Sequence, residues 1–235
     1  MSTILYLGLW ANPPYDCLSD RFAHLAEDIQ AAGLHFGLAH YHQQGLAENP
    51  EALHALLDGV DGVILSGSRH NLPLCQEGEG TEDEDAVRFA AFVPLLKALQ
   101  ERPLPVLGIC FGHQLLALAE GCRLGRLLAK RRASDHPVTF QGRHPLMHGL
   151  HTPAPGASTI YVPENHRMIV EDVDPQRWHI LAQSIDGIEA IEHRTLPWIG
   201  LQFHPEYHPE SSSGDARRVL LNWLSLVRPR LQAVV

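Results

Sequence analysis

The sequence has no excess of basic charge. Across 235 residues, 18 Lys and Arg stand against 27 Asp and Glu, a formal net charge of −9. That balance removes the electrostatic footprint that phosphate backbones or anionic membranes attract, so no nucleic acid and no membrane partner is expected. No apolar run approaches the about 20 residues of a membrane span. Met1 to Gly8 also lacks the basic start, long apolar stretch and small-residue cleavage site of a signal peptide, and a cytoplasmic protein is expected. Cysteine is scarce: Cys17, Cys75, Cys110 and Cys122 are too far apart for a metal knuckle or a Cys-x-x-Cys redox pair, and in a reducing compartment they are thiols. There is no internal repeat, heptad seam or low-complexity tract.

What is present suffices for one sizeable core. The chain is 45% hydrophobic, and a single domain over residues 1–235 is expected. Thr3–Leu9 reads as a first strand, followed by the loop Asn12-Pro13-Pro14. Ser19 or Asp20 can cap a helix with Phe22, Leu25, Ala26 and Ile29 on one face, ending at Gly33. A strand at Leu34–Ala39, a helix at Pro50–Leu57 and a buried strand at Gly62–Leu65 continue the alternation. Acidic residues at Glu82–Asp85 then open a helix through Val87–Leu99, and Pro103–Ile109 is the next strand. This rhythm predicts a parallel sheet with helices on both faces. Further on, Arg177–Ser184 and Ile188–Arg194 flank Asp186-Gly187, a hairpin signal. Trp198–Phe203 is a last strand, and Asp215–Val227 a last helix that Pro229 stops.

Chemistry concentrates where the strand Pro105–Ile109 runs into Cys110 and a helix starts almost at once. Such an elbow sets the side chain at the carboxyl end of a parallel strand, where open α/β sheets bind ligands, and Gly108 and Gly112 leave room for the bend. The helix N-terminus favours a thiolate, the attacking form of cysteine, and the Phe111 N–H can face a developing oxyanion. A cysteine in this setting is more than a small buried hydrophobe, which is the default reading for Cys122.

Pro105, Gly108, Cys110, Gly112 and Gln114 resemble the Pro-x-x-Gly-x-Cys-x-Gly-x-Gln signature of the class I glutamine amidotransferase family. Gly200-Leu201-Gln202-Phe203-His204-Pro205-Glu206 is similar to its second motif, in which the histidine is general base and the glutamate its orienter. Residues two apart on an extended segment share a side, so Glu206 can reach the His204 ring. His204, Glu206 and His208 also carry metal-ligating atoms, but Pro205 and Pro209 break the helix that a His-Glu-x-x-His zinc site needs, and no metal is expected.

The resemblance implies a flavodoxin-like three-layer α/β domain, with a central, mostly parallel sheet and an added antiparallel hairpin. It implies that Gly67, in the turn Ser66-Gly67-Ser68, supplies the second oxyanion donor. Gly112, Gln114, Ser68 and His166 fall on the substrate side. The implied reaction is cleavage of a γ-glutamyl amide, glutamine above all, through a Cys110 thioester and without a cofactor, with ammonia passing to a separate synthetase subunit. Gly67-Ser68-Arg69 departs from the Gly-Gly-Pro turn of many such enzymes and looks more like the related γ-glutamyl hydrolases, which act alone on γ-glutamyl amines or peptides. A binding module that kept the fold without catalysis is the third reading. The acidic stretch Glu77–Asp85 is a lid or a solvated face, and Arg123, Arg126, Lys130, Arg131 and Arg132 are a docking patch or solvated surface.

Overall fold

The computed structural model describes residues 2–10, 20–74, 88–150, 157–207 and 213–232. The Asn12-Pro13-Pro14 loop, the Ser19 cap, Cys17, Cys75, the acidic stretch 77–85 and His208 lie outside them. In chain order the first elements are β1 (Thr3–Gly8), α1 (Asp20–Ala31), β2 (His35–His40), α2 (Pro50–Asp58) and β3 (Gly62–Leu65). A 3₁₀ turn at Phe89–Phe92 leads into α3 (Val93–Gln100), then β4 (Val106–Ile109) and α4 (Phe111–Ala119). The second half holds β5 (Arg123–Gln141), β6 (Ala157–Asp172), β7 (Trp178–Gln183), β8 (Ile188–His193), β9 (Trp198–Leu201) and α5 (Asp215–Gln232).

Nine strands form one sheet in the order β2-β1-β3-β4-β9-β8-β6-β5-β7. The first five are mutually parallel, and the other four pair antiparallel. Because β7 pairs with both β5 and β8, and β6 bridges β5 to β8, the antiparallel strands close on themselves as a ring. The expected hairpin is real as β7 and β8, but the antiparallel share of the sheet is much larger than one hairpin.

Side chains alternate across the parallel strands with period two. Leu5, Leu7, Val63, Leu65 and Val106 pack on one face against Leu53 and Leu57 of α2, Leu95 and Leu99 of α3, and Leu115 of α4. Ile4, Tyr6, Ile64 and Leu107 pack on the other against Leu25 and Ile29 of α1 and Val219, Leu220 and Trp223 of α5. Two helical layers thus cover a strand core too apolar to face water.

Two expectations, about α5 and the basic cluster, change. Helix α5 continues through Pro229 to Gln232. A proline there loses one hydrogen bond in the final turn, where little helix remains to be broken. Arg123 to Arg132 lie on strand β5, whose register against β6 shifts between Arg123 and Leu124, between Arg126 and Arg131, and between Ala133 and His136. Arg131 keeps 37% of its side chain exposed yet is held in an ion pair, its Nη2 donating to Asp186 Oδ1 at 2.6 Å.

Candidate active site

Strands β3, β4 and β9 are neighbours running the same way, so the chain leaves all three at one edge of the sheet. Gly67 follows β3, Cys110 follows β4 and His204 follows β9, and the topology alone brings them together. Cys110 has φ 50° and ψ −98°, and it is the one non-glycine residue at positive φ among the described residues. A non-glycine residue held there costs about 1–3 kcal/mol, so the surroundings must over-determine it. They do: the Cys110 N–H donates to Leu201 O at 2.7 Å, and its carbonyl accepts from Gln114 N at 3.0 Å.

Glycines let α4 press onto the strands. A Cβ on Gly108 would lie 2.6 Å from the Gly112 carbonyl, one on Gly112 2.5 Å from Leu65 O, and one on Gly200 2.5 Å from the His113 ring. Gly112 is therefore a packing residue under the elbow, its N–H donating to Ser66 O at 3.2 Å, and it does not line the hollow at Cys110. His113, fully buried, is held neutral: burial first, and then His166, push its pKa down to about 3 against a raising contact with the Ile188 backbone.

His204 Nδ1 hydrogen-bonds Glu206 Oε1 at 2.7 Å, both side chains being buried. Its backbone N–H donates to Pro163 O at 3.0 Å. With Nδ1 taken, Nε2 is left for Cys110. Burial by itself would lower the pKa of this ring, but the charges of Glu206 and Cys110 outweigh it and raise the value to about 10. His204 is thus an imidazolium at neutral pH, with a proton to give.

The loop after β3 is pinned from below, because buried Ser66 accepts from Leu9 N at 2.9 Å and donates to Gly67 O at 2.7 Å. A Cβ on Gly67 would stand 3.0 Å from His204 Cε1 and 3.7 Å from Cys110 Cβ, so this residue lies against both side chains. Phe111 is the first residue of α4, and its N–H belongs to the group that a helix start leaves without an intrahelical partner.

Two hollows flank the pair. One of about 150 Å³ is lined by Cys110, Phe111, Gln114, Ser68 and His166, together with the cationic side chains Arg69, Lys130 and Arg167. The other, about 430 Å³, lies on the His204 side and is lined by Arg132, Glu164, Asn165 and Tyr207 among others. Gln114 reaches the first hollow, yet its amide NH₂ is committed to Met168 O at 2.8 Å and Gln202 Oε1 at 3.1 Å. Ser68 Oγ accepts from His70 N at 3.2 Å.

The sequence pattern that defines the class-I glutamine amidotransferases matches residues 44–223, and that span contains Gly67, Cys110, His204 and Glu206. The chain belongs to this family. Among relatives of this amidotransferase domain, an aminodeoxychorismate synthase of Streptomyces griseus is 34% identical over 200 residues, which is 81% of this chain and 24% of that protein. The chain thus spans about a quarter of that relative. Anthranilate synthase component 2 of Thermococcus kodakarensis is 30% identical over 72% of this chain and 77% of its own. A gamma-glutamyl-gamma-aminobutyrate hydrolase of Escherichia coli O157:H7 is 31% identical over 82% and 79%. In structure, a GMP synthase protein of Thermoplasma acidophilum superimposes with a TM-score of 0.68 at 20% identity, over 97% of this chain and 96% of that one, which is a likeness of fold.

Other residues around this candidate site carry weaker sequence signals or none. Gln202 is fully buried, and its Nε2 donates toward Cys110 Sγ at 3.6 Å. Its signal was available, since it stands two residues before His204 on an extended segment. Glu164 and Glu189, buried beside His166, had no local signal: β6 and β8 bring them together from 25 residues apart in sequence.

Proposed function

We propose that the chain cleaves a γ-glutamyl amide, glutamine in the simplest case, through a thioester on Cys110, and releases ammonia for an acceptor held by a separate synthetase subunit. The observation that carries this is the elbow at Cys110, the lone non-glycine residue at positive φ among the described residues, charge-coupled to a histidine that Glu206 orients. The Cys110 sulfur attacks the amide carbon, and the carbonyl oxygen takes the negative charge. The N–H groups of Gly67 and Phe111 face that oxygen, and one such aimed donor is worth about 2.7–4 kcal/mol. Imidazolium His204 gives its proton to the nitrogen as the C–N bond breaks. Now neutral, the same ring takes a proton from water, which attacks the thioester, releases glutamate and restores the thiolate. No metal or organic cofactor enters this scheme. Arg69, Lys130 and Arg167 around the smaller hollow suit the α-carboxylate of the γ-glutamyl group.

A second reading, a stand-alone γ-glutamyl hydrolase, is favoured by the hollow of about 430 Å³ on the His204 side. The leaving amine departs toward His204, and ammonia needs no such room. Turnover of glutamine and of several γ-glutamyl amines by the purified chain separates the two. Substituted amines preferred over glutamine would establish the hydrolase. Slow glutamine turnover that rises when a synthetase partner is added supports the amidotransferase. A γ-glutamyl electrophile that adds mass to a peptide other than the one containing Cys110 would overturn both.

A further inference from the structure

Behind His204, in the antiparallel part of the sheet, Glu164, His166 and Glu189 converge. Each is no more than 3% exposed. His166 Nδ1 lies 3.1 Å from Met168 O, and since a carbonyl only accepts, Nδ1 carries the hydrogen. Nε2 of the neutral ring is then a lone pair, and it faces Glu164 Oε2 at 2.8 Å. Glu189 Oε1 accepts from Ser184 Oγ at 2.6 Å, while Glu164 Oε1 and Glu189 Oε2 have no hydrogen-bond donor among the described residues. The three ligand atoms lie within 4.8 Å of one another. A buried cluster of acceptors such as this is stabilised by enclosed positive charge, whether shared protons or a metal ion.

Glu164 also belongs to a second group, with His136 and Asp186, whose ligand atoms lie within 4.8 Å of one another. His136, 5% exposed, has a buried Nε2 without a hydrogen-bond partner. Asp186 is already neutralised by Arg131, so the donors left for a ligand are two carboxylates and two imidazoles.

We propose that Glu164, Glu189 and His166, with His136 as fourth donor, form a binding site for a divalent transition metal of the Zn²⁺ class. Two carboxylates cancel the charge of a dication, and imidazole with carboxylate oxygen is a donor set that zinc accepts. The outer contacts are those a metal site requires. His166 is oriented by its N–H on a backbone carbonyl, and Glu189 is held by a serine hydroxyl. Glu164 also lines the hollow shared with Arg132, His204 and Tyr207, which gives an ion a way in. Bonds of about 2.1 Å place tetrahedral ligand atoms about 3.4 Å apart, so the His166–Glu164 contact must open by about half an ångström. The cluster shares His166 with the hollow at Cys110 and Glu164 with the hollow at His204, but neither Cys110 nor His204 is a ligand, so metal binding does not depend on the proposed reaction.

The test is titration of the metal-stripped protein with ZnCl₂ against a competing chelator, and with CoCl₂ followed by visible absorption. One tight equivalent per chain is expected in the wild type and equally in Cys110→Ser, with a cobalt spectrum free of thiolate charge transfer. Glu164→Gln and Glu189→Gln preserve shape and are expected to weaken binding by at least about 100-fold. Three results would overturn the proposal. The first is no binding tighter than that of exposed histidines, which would leave shared protons as the answer. The second is binding lost in Cys110→Ser, and the third is binding that both glutamine variants leave intact. If a glutamine variant fails to fold, the wild-type cobalt spectrum and Cys110→Ser still decide.

Discussion

The parallel and antiparallel parts of the sheet solve different problems. β1 to β4 with their helices are apolar on both faces, and the one non-glycine residue at positive φ among the described residues, Cys110, is the proposed nucleophile. The ring of β5 to β8 buries charged and polar groups instead: Glu164, His166, Glu189 and His136. Between them β9 is the seam, parallel to β4 and antiparallel to β8, and the chain leaving it carries Gln202, His204 and Glu206. One half therefore fixes a sulfur rigidly by close packing, and the other gathers buried polar groups beside His204. Rigid geometry is cheapest to build from glycine and aliphatic contacts, whereas a buried charge stays only where partners are aimed at it.

The sharpest way to break this division is to remove the sulfur. Cys110→Ala is expected to lower kcat by at least about 10⁴-fold with an unchanged circular dichroism spectrum, because the parallel half does not need the thiol to fold. Residual turnover within tenfold of wild type would place the nucleophile elsewhere. Next in size is a change that leaves the chemistry untouched and attacks the packing. Gly112→Ala puts a methyl group 2.5 Å from Leu65 O, a backbone atom that cannot step aside. A loss of about 3 kcal/mol or more in denaturant unfolding is expected, with activity falling as α4 lifts. A neutral result would mean that α4 is not seated as tightly as the glycines indicate.

This half was also the legible half. The Cys110 elbow and the His204–Glu206 pair each lie within a few consecutive residues, and strand alternation with helix caps is a local signal, so β1, α2, β3 and β4 could be read from spacing. The other half was illegible for a physical reason. β5 changes register three times against β6, which breaks the period-two pattern, and a strand carrying Arg126, Lys130, Arg131 and Arg132 resembles a solvated segment. Glu164 and Glu189 acquire meaning only through long-range pairing. The close packing of Gly112 against the Leu65 backbone was also out of reach of local signals, since the resemblance places Gly112 on the substrate side and the contact comes from a distant strand.

A smaller effect probes the seam. Burial is the largest single influence on His204 and lowers its pKa, but Glu206 and Cys110 together outweigh it and raise the value to about 10. Because that value is raised, its contribution to stability is complete below about pH 6.5 and is lost as pH climbs through about 10. Glu206→Gln removes the largest raising influence. Turnover is expected to fall about 10–100-fold, with the alkaline limb of kcat/KM moving to lower pH by a unit or more and a flatter dependence of stability on pH between 7 and 10. An unmoved limb would show that Glu206 orients the ring without charging it.

The finest test sits where the two halves touch. Gly67 belongs to the parallel half by its strand and to the seam by its neighbours, since a methyl group there meets His204 Cε1 at 3.0 Å and Cys110 Cβ at 3.7 Å. The sulfur side has ordinary contact distance to spare, and the imidazole does not. Gly67→Ala therefore displaces the ring by a few tenths of an ångström and leaves the nucleophile in place. A misplacement of about 1 Å costs about 100-fold, so a fall in kcat of about tenfold is expected, with KM nearly unchanged because the methyl points at the catalytic pair and away from the cationic hollow. Alkylation of Cys110 by a small haloacetamide, measured on the same variant, separates the sides: it is expected to track the altered His204–Cys110 contact and slow in proportion to kcat. A normal alkylation rate with depressed kcat would move the damage to the oxyanion donor, making the Gly67 N–H the group that matters.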